Sequence, residues 1–297
     1  MRRARHALKP PSPRPSVFPA LDLTSLSTRL GSAHLGRVVA RFRPAPHAWI
    51  LSRLEAQGPG YALEAHGYWA RHAGGDRVRF LFSLSSHDVH TAFLAFGLTP
   101  LMTGRSAVVR GDLGWHGVPW RPDRPTVSGV VSLVAQGGRV LPLNPGAGRL
   151  LGLLSLSSLP QRLGLDFSDV FDRGLAYNVI RGRFRITNGV ATIPALILHG
   201  PAVRLRLEGR ADLVGETYDE VVRVVPLVSA TLPLAGAVVG GPVGFAALLV
   251  LSRVLALPMR TLLATYYHIG GTWTHPLVHR ISDGTAHRLG FRTSPAP

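Results

Sequence analysis

The chain contains no cysteine, which excludes a disulfide framework, thiolate catalysis and any cysteine-ligated zinc site. Lysine is almost missing as well: Lys9 is the only one among 33 basic residues, and these outnumber the 16 acidic residues to give a formal net charge of +17. Charged residues make up only 16% of the chain and aromatic residues 7%, against 46% apolar residues. Such a composition belongs to a folded protein with an unusually apolar surface rather than to a disordered chain. At 297 residues there is ample length to bury a core.

The basic surplus calls for an anionic partner, and its distribution selects among them. The arginines are spread along the chain in alternation with apolar residues instead of being clustered. Nucleic-acid binding concentrates its cations, so no nucleic-acid partner is expected. Anionic headgroups at a membrane surface accept a spread of cations, each contributing about 1 kcal/mol.

Catalytic signatures are missing too. Neither a GxSxG elbow nor an HExxH pair occurs. Residues 146–152 form a glycine-rich stretch after a strand-like 140–143, but the third glycine, Gly152, falls one residue late for a dinucleotide loop. Asp166, Asp169 and Asp172 interleave with Leu165, Phe167, Val170 and Phe171, the pattern of a solvated strand and turn rather than a cation cluster. His87 with His90, and His275 with His279, have ligand-like spacing but lack a third ligand nearby. No catalytic residue, metal or cofactor is assigned, and an enzyme is not expected.

What the sequence does have is period-two alternation. Val203, Leu205, Leu207, Gly209, Ala211 and Leu213 face one way, and Arg204, Arg206, Glu208, Arg210 and Asp212 the other. Val78, Phe80, Phe82 and Leu84 against Arg77 and Arg79, and Ile180, Phe184 and Ile186 against Arg181, Arg183 and Arg185, repeat the pattern. One dry and one wet face predict antiparallel strands. Gly74-Gly75, Gly137-Gly138, Asn188-Gly189 and His199-Gly200-Pro201 read as turns at hairpin spacing. A weak repeat, a strand with a central glycine at Gly67, Gly111, Gly209 and Gly270, suggests a sheet built by addition.

Three segments read as helical: about 87–97, 146–159 and 234–257. The last lies in a run without charge, 224–252, long enough on paper to span a bilayer. Pro226, Pro233 and Pro242 with several glycines break it, leaving a helix packed on the sheet ahead of a hairpin dipping into a membrane or a true span. Residues 1–19 hold Arg2, Arg3, Arg5, Lys9, Arg14 and five prolines with no apolar stretch, so no signal peptide or anchor is expected there. The predicted organisation is a disordered basic tail over 1–19, one β module over 20–285 and a disordered tail over 286–297.

The stretch Pro145-Gly146-Ala147-Gly148-Arg149-Leu150-Leu151-Gly152-Leu153-Leu154-Ser155-Leu156, with Leu159-Pro160-Gln161-Arg162-Leu163 and Leu165-Asp166-Phe167-Ser168-Asp169-Val170-Phe171, resembles a signature near the C-terminus of YhdP-type, AsmA-like envelope proteins. Gly209-Arg210-Ala211-Asp212-Leu213, Leu232-Pro233-Leu234-Ala235-Gly236-Ala237 and Gly270-Gly271-Thr272-Trp273 extend the resemblance, which covers roughly 21–282. It implies an elongated, curved antiparallel sheet, folded over into a groove, with few helices and one apolar helical segment near the C-terminus. It also implies a phospholipid partner, the periplasmic cell envelope, and contact with the outer-membrane side. Members of the family carry an N-terminal membrane anchor and are several times longer, so a separately encoded N-terminal part and other envelope proteins are further expected partners.

On this reading the groove is lined by Phe184, Ile186, Leu196, Leu198, Val203, Leu205 and Leu207. Leu232, Leu234, Val238, Phe245, Leu248, Leu249, Leu251 and Leu255 form a segment that caps the groove or docks on a membrane. The function expected is non-enzymatic lipid handling, with a structural or assembly module of the envelope as the alternative.

Overall fold

The structure, a computed structural model, describes residues 14–141, 174–227 and 264–292. The strands are β1 (Leu21–Leu30), β2 (Ala33–Ala45), β3 (Ala48–Gly58), β4 (Tyr61–His72), β5 (Gly75–Ser86), β6 (Met102–Val118), β7 (Arg121–Pro122) and β8 (Ser128–Val140). They continue as β9 (Leu175–Thr187), β10 (Val190–His199), β11 (Val203–Asp212), β12 (Thr217–Pro226), β13 (Thr265–Gly271) and β14 (Pro276–Ile281), with helices α1 (Val89–Ala95) and α2 (Asp283–Arg288). All of the strands form one open, curled 14-stranded sheet in which sequence neighbours are sheet neighbours, the short β7 pairing off the path with β6. Every pairing is antiparallel. The meander follows from the alternation and the tight turns that the sequence carries.

At Asn188-Gly189 both residues take positive φ, 48° and 78°, the geometry that matches a two-residue hairpin turn to the twist of its strands. Gly137-Gly138 behaves differently. It lies inside β8, where the same register holds on both sides of it, with Gly138 opposite Gly104 and Gln136 opposite Ser106, and Gly137 has φ of 60°. The expected turn is therefore an interior point of β8, which runs on through the left-handed glycine with its register against β6 and β9 unchanged.

Because the strands alternate in direction, their connections divide between two rims of the sheet. One rim holds the β2–β3, β4–β5, β6–β8, β9–β10, β11–β12 and β13–β14 connections, none longer than the loop carrying β7. The other holds the long ones: α1 between β5 and β6, and the breaks between β8 and β9 and between β12 and β13. Helix α1 starts where the Asp88 carboxylate accepts from the Thr91 backbone N–H at 3.1 Å and from its hydroxyl at 2.6 Å, an N-cap. It ends at Gly97, φ 68°. Its Ala92 and Ala95 pack with Val38, Ala56 and Tyr61.

Both ends fold further than the sequence reading allowed. Phe18, expected in the N-terminal tail, meets Trp49 and Trp69 with ring centroids 5.0 and 5.5 Å apart. Residues 286–292, expected in the C-terminal tail, include the end of α2, and buried Ala286 and Phe291 pack on Val221 and Tyr266. Apolar side chains that reach a sheet gain by covering it, and a single aromatic in a polar tail is easily overlooked by composition. The expected helices at 146–159 and 234–257, the Asp166, Asp169 and Asp172 cluster and the apolar capping residues from Leu232 to Leu255 lie outside the described residues. Among the described residues no helix is long and apolar enough to cross a membrane.

Candidate functional site

Residues paired across neighbouring strands point to the same side of a sheet, so the register decides which side chains form rows. One row runs without a polar side chain through eleven strands: Tyr267, Val222, Leu207, Leu196, Gly182, Leu133, Val109, Leu84, Leu63, Ala56 and Val38. A second passes through Val224, Leu205, Leu198, Ile180, Ala135 and Ala107. A third joins Phe184, Val131, Gly111, Phe82, Ala65 and Leu54. These rows make one apolar face that continues across most of the sheet.

Burial along that face is uneven. Leu196, Leu207, Val222 and Tyr267 are 1%, 0%, 0% and 5% exposed. Leu133, Val109, Leu84 and Leu63, in the same row, are only half-buried, as are Phe80, Phe82 and Val131. The face is sealed over β9–β13, half-open at these middle positions of β4–β8, where Ala65, Ala107 and Ala135 are nonetheless buried, and closed again where α1 covers Val38 and Ala56.

All seven residues expected to line a groove lie on the apolar face of the sealed part: Phe184 and Ile186 on β9, Leu196 and Leu198 on β10, and Val203, Leu205 and Leu207 on β11. Six of them share one core with Ile180, Val222 and Ile269, which Ile186 does not join. The half-open residues of β4–β8 were not assigned to a groove from sequence, although the alternation of Phe80, Phe82 and Leu84 was visible. Glu220 was missed as well. It is fully buried on the apolar face of β12, opposite Ile269 and Gly209, and with burial as the larger cause it raises the hydroxyl pKa of Tyr218.

The opposite face is rich in arginine. Arg181, Arg183, Arg185, Arg204 and Arg210 are exposed and make no ion pair among the described residues. Other arginines are paired: Arg79 grips Asp112 with contacts of 2.9 and 2.7 Å, and these hydrogen bonds hold the Asp112 carboxyl below the usual carboxylate range. Glu208 is an exception to the alternation. It faces the arginine side yet is buried, accepting from Arg206 at 2.6 Å and from the Arg292 backbone N–H at 3.0 Å.

The short-turn rim is aromatic. Trp49, Trp69, Val78 and Trp115 form a row at that end of β3–β6, and Trp120 in the following turn meets Trp69 edge-on at 5.5 Å. Trp273, in the β13–β14 turn, lies on the same rim beside Tyr218. All five tryptophans of the chain thus sit on one rim. Under Trp120 is a pocket of about 450 Å³ walled by Phe42, Trp49, Leu51, Trp69 and Phe80. His87 and His90 fall at α1, and His275 and His279 near β14; among the described residues no three His, Asp or Glu side chains gather in a metal-binding group.

An apolar face of this extent is suited to holding hydrocarbon. No solved structure matches the chain. A curated relative, described as the intermembrane phospholipid transporter YhdP of Escherichia coli (strain K12), is 30% identical over 220 residues, covering 74% of this chain and 17% of that protein. The chain therefore spans less than a fifth of the length of this relative. The family described as YhdP protein matches residues 2–278. By a match that extends over nearly its whole length, this chain belongs to the YhdP family.

Proposed function

We propose that this chain is a non-enzymatic lipid-handling module of the bacterial cell envelope, and that its apolar face shields the acyl chains of a phospholipid. The observation that carries this reading is the row from Tyr267 to Val38, unbroken by polar side chains and half-open over β4–β8. Hydrocarbon in water costs about 0.8 kcal/mol per CH₂, so a chain of about 16 carbons costs roughly 12 kcal/mol. A continuous dry surface removes most of that barrier. The exposed arginines of the other face suit anionic headgroups at a membrane surface, which in the envelope reading is on the outer-membrane side. Phe184, Ile186, Leu196, Leu198, Val203, Leu205 and Leu207 are the enclosed end of the lipid path, and the apolar residues from Leu232 to Leu255 cap it or dock on the membrane.

Native mass spectrometry of protein purified in mild detergent, followed by lipid extraction, tests the proposal. Phospholipid bound in defined stoichiometry and lost in Val109→Asp supports it. Val109 suits the purpose because it lies in the half-open stretch and belongs to no core cluster.

The sealing of β9–β13 favours a second reading for that part, a packed structural or assembly module. Protein that carries no lipid, in a form that captures an envelope protein through the arginine face, would favour this alternative over lipid handling.

A further inference from the structure

Tryptophan has an apolar ring and one N–H donor, and it concentrates where dry and wet zones meet. Here the whole complement of five lies on the short-turn rim, while the opposite rim holds the long connections. Two of the indoles satisfy their donors locally: Trp49 Nε1 donates to the Pro19 carbonyl at 3.0 Å and Trp115 Nε1 to that of Val118 at 3.1 Å. Two do not. The Nε1 atoms of Trp69 and Trp273 are shielded from solvent with no hydrogen-bond partner among the described residues. Trp69 is 1% exposed and walls the 450 Å³ pocket. A buried donor left unmet is costly, and in a pocket of ligand size it marks the place for an acceptor brought by a ligand.

We infer that the tryptophan rim is the headgroup-side lip of the lipid path, where the pocket under Trp120 receives the glycerol end of a phospholipid and Trp69 Nε1–H donates to an ester carbonyl. This rests on the lipid-handling reading and adds to it an orientation: ester groups at the short-turn rim, chains running inward over Phe80 and Leu51, both of which wall the pocket. Trp120, 60% exposed and stacked edge-on against Trp69, closes the pocket from the solvent side. Aromatic faces offer the first methylenes of the chain a rigid wall at small entropic cost. The ester carbonyl is the acceptor that every diacyl phospholipid brings to that depth, whatever its headgroup.

The experiment loads the purified chain with diacyl phosphatidylcholine brominated either near the ester end or near the methyl end of one chain, and reads quenching of the intrinsic tryptophan fluorescence. Bromines near the ester end should quench more strongly. Retention is then compared for Trp69→Phe, which keeps the ring and removes the donor, using diester and diether lipids. The expected result is about a three- to tenfold loss of diester retention with diether retention unchanged. Trp120→Ala, at an exposed position, should weaken both lipids without affecting the fold, and Trp273→Phe repeats the donor test at a less buried site. Equal quenching by the two probes, together with unchanged diester retention in all three variants, overturns the rim assignment while leaving lipid handling intact. Wild-type protein that retains neither lipid overturns the lipid-handling reading itself.

Discussion

Strands β9–β13 and strands β4–β8 share the same apolar rows and the same alternation, yet Leu196, Leu207 and Val222 are sealed while Leu84, Val109 and Leu133 are half-buried. The difference shows that an alternating strand specifies a dry face but not its state of filling. In β9–β13 the apolar side chains are large and meet one another in one core. Glycines stand in the rows of both parts: Gly182 lies against Leu196 in the sealed one, and Gly67, Gly111 and Gly129 stand opposite Phe80, Phe82 and Leu113 in the half-open one. A Cβ at Gly111 would meet the Phe82 ring, so the aromatic lies across the gap that the glycine leaves.

The largest expected effect tests the sealed part. Leu207→Asp places a carboxylate at a position with no exposure and should cost roughly 4 kcal/mol or abolish cooperative unfolding, as read by urea denaturation. Gly67→Val comes next. Its Cβ would collide with the Arg79 carbonyl, a backbone atom that cannot move aside alone, and a loss of about 2–3 kcal/mol is expected. An effect below about 0.5 kcal/mol would show that the half-open strands are loosely specified as well as loosely filled. Val109→Asp should cost only about 1 kcal/mol in the same assay while removing bound phospholipid, and a cost as large as that of Leu207→Asp would erase the distinction between the two parts.

The smallest effect is one of pH. Asp112 is an acid whose folded pKa is depressed by Arg79, so its contribution is present above its ordinary value near 3.8 and is lost as pH falls through the lower folded value. Because the pair is on the exposed face, the contribution is modest. Asp112→Asn should flatten the acid limb of the stability profile slightly, without changing the profile at neutral pH in shape.

Much of the fold was legible. The alternation at 180–186 and 203–213 located β9 and β11, the run from Val78 to Leu84 located β5, and the expectation of a helix near 87–97 corresponds to α1. Asn188-Gly189 was readable as a turn because both residues tolerate positive φ. Here Gly137-Gly138 misled, since a glycine pair also fits the inside of a strand, and only the unbroken register against β6 shows that β8 runs on through it. Glu208 read as a wet-face residue, yet it is enclosed by Arg206 and the Arg292 backbone. Nothing local to Glu208 announces a segment returning from so far along the chain.

By itself, then, the sequence determined two faces of opposite chemistry, an antiparallel meander, and a cationic exterior, because side-chain alternation along a strand is a property of the local backbone. Only the tertiary structure decided that the apolar positions align into unbroken rows, that part of the face is sealed and part half-open, and that Trp49, Trp69, Trp115, Trp120 and Trp273 share one rim. Those features depend on register and on the lengths of connections between strands, so they arise from pairing among distant residues and are written in no single segment.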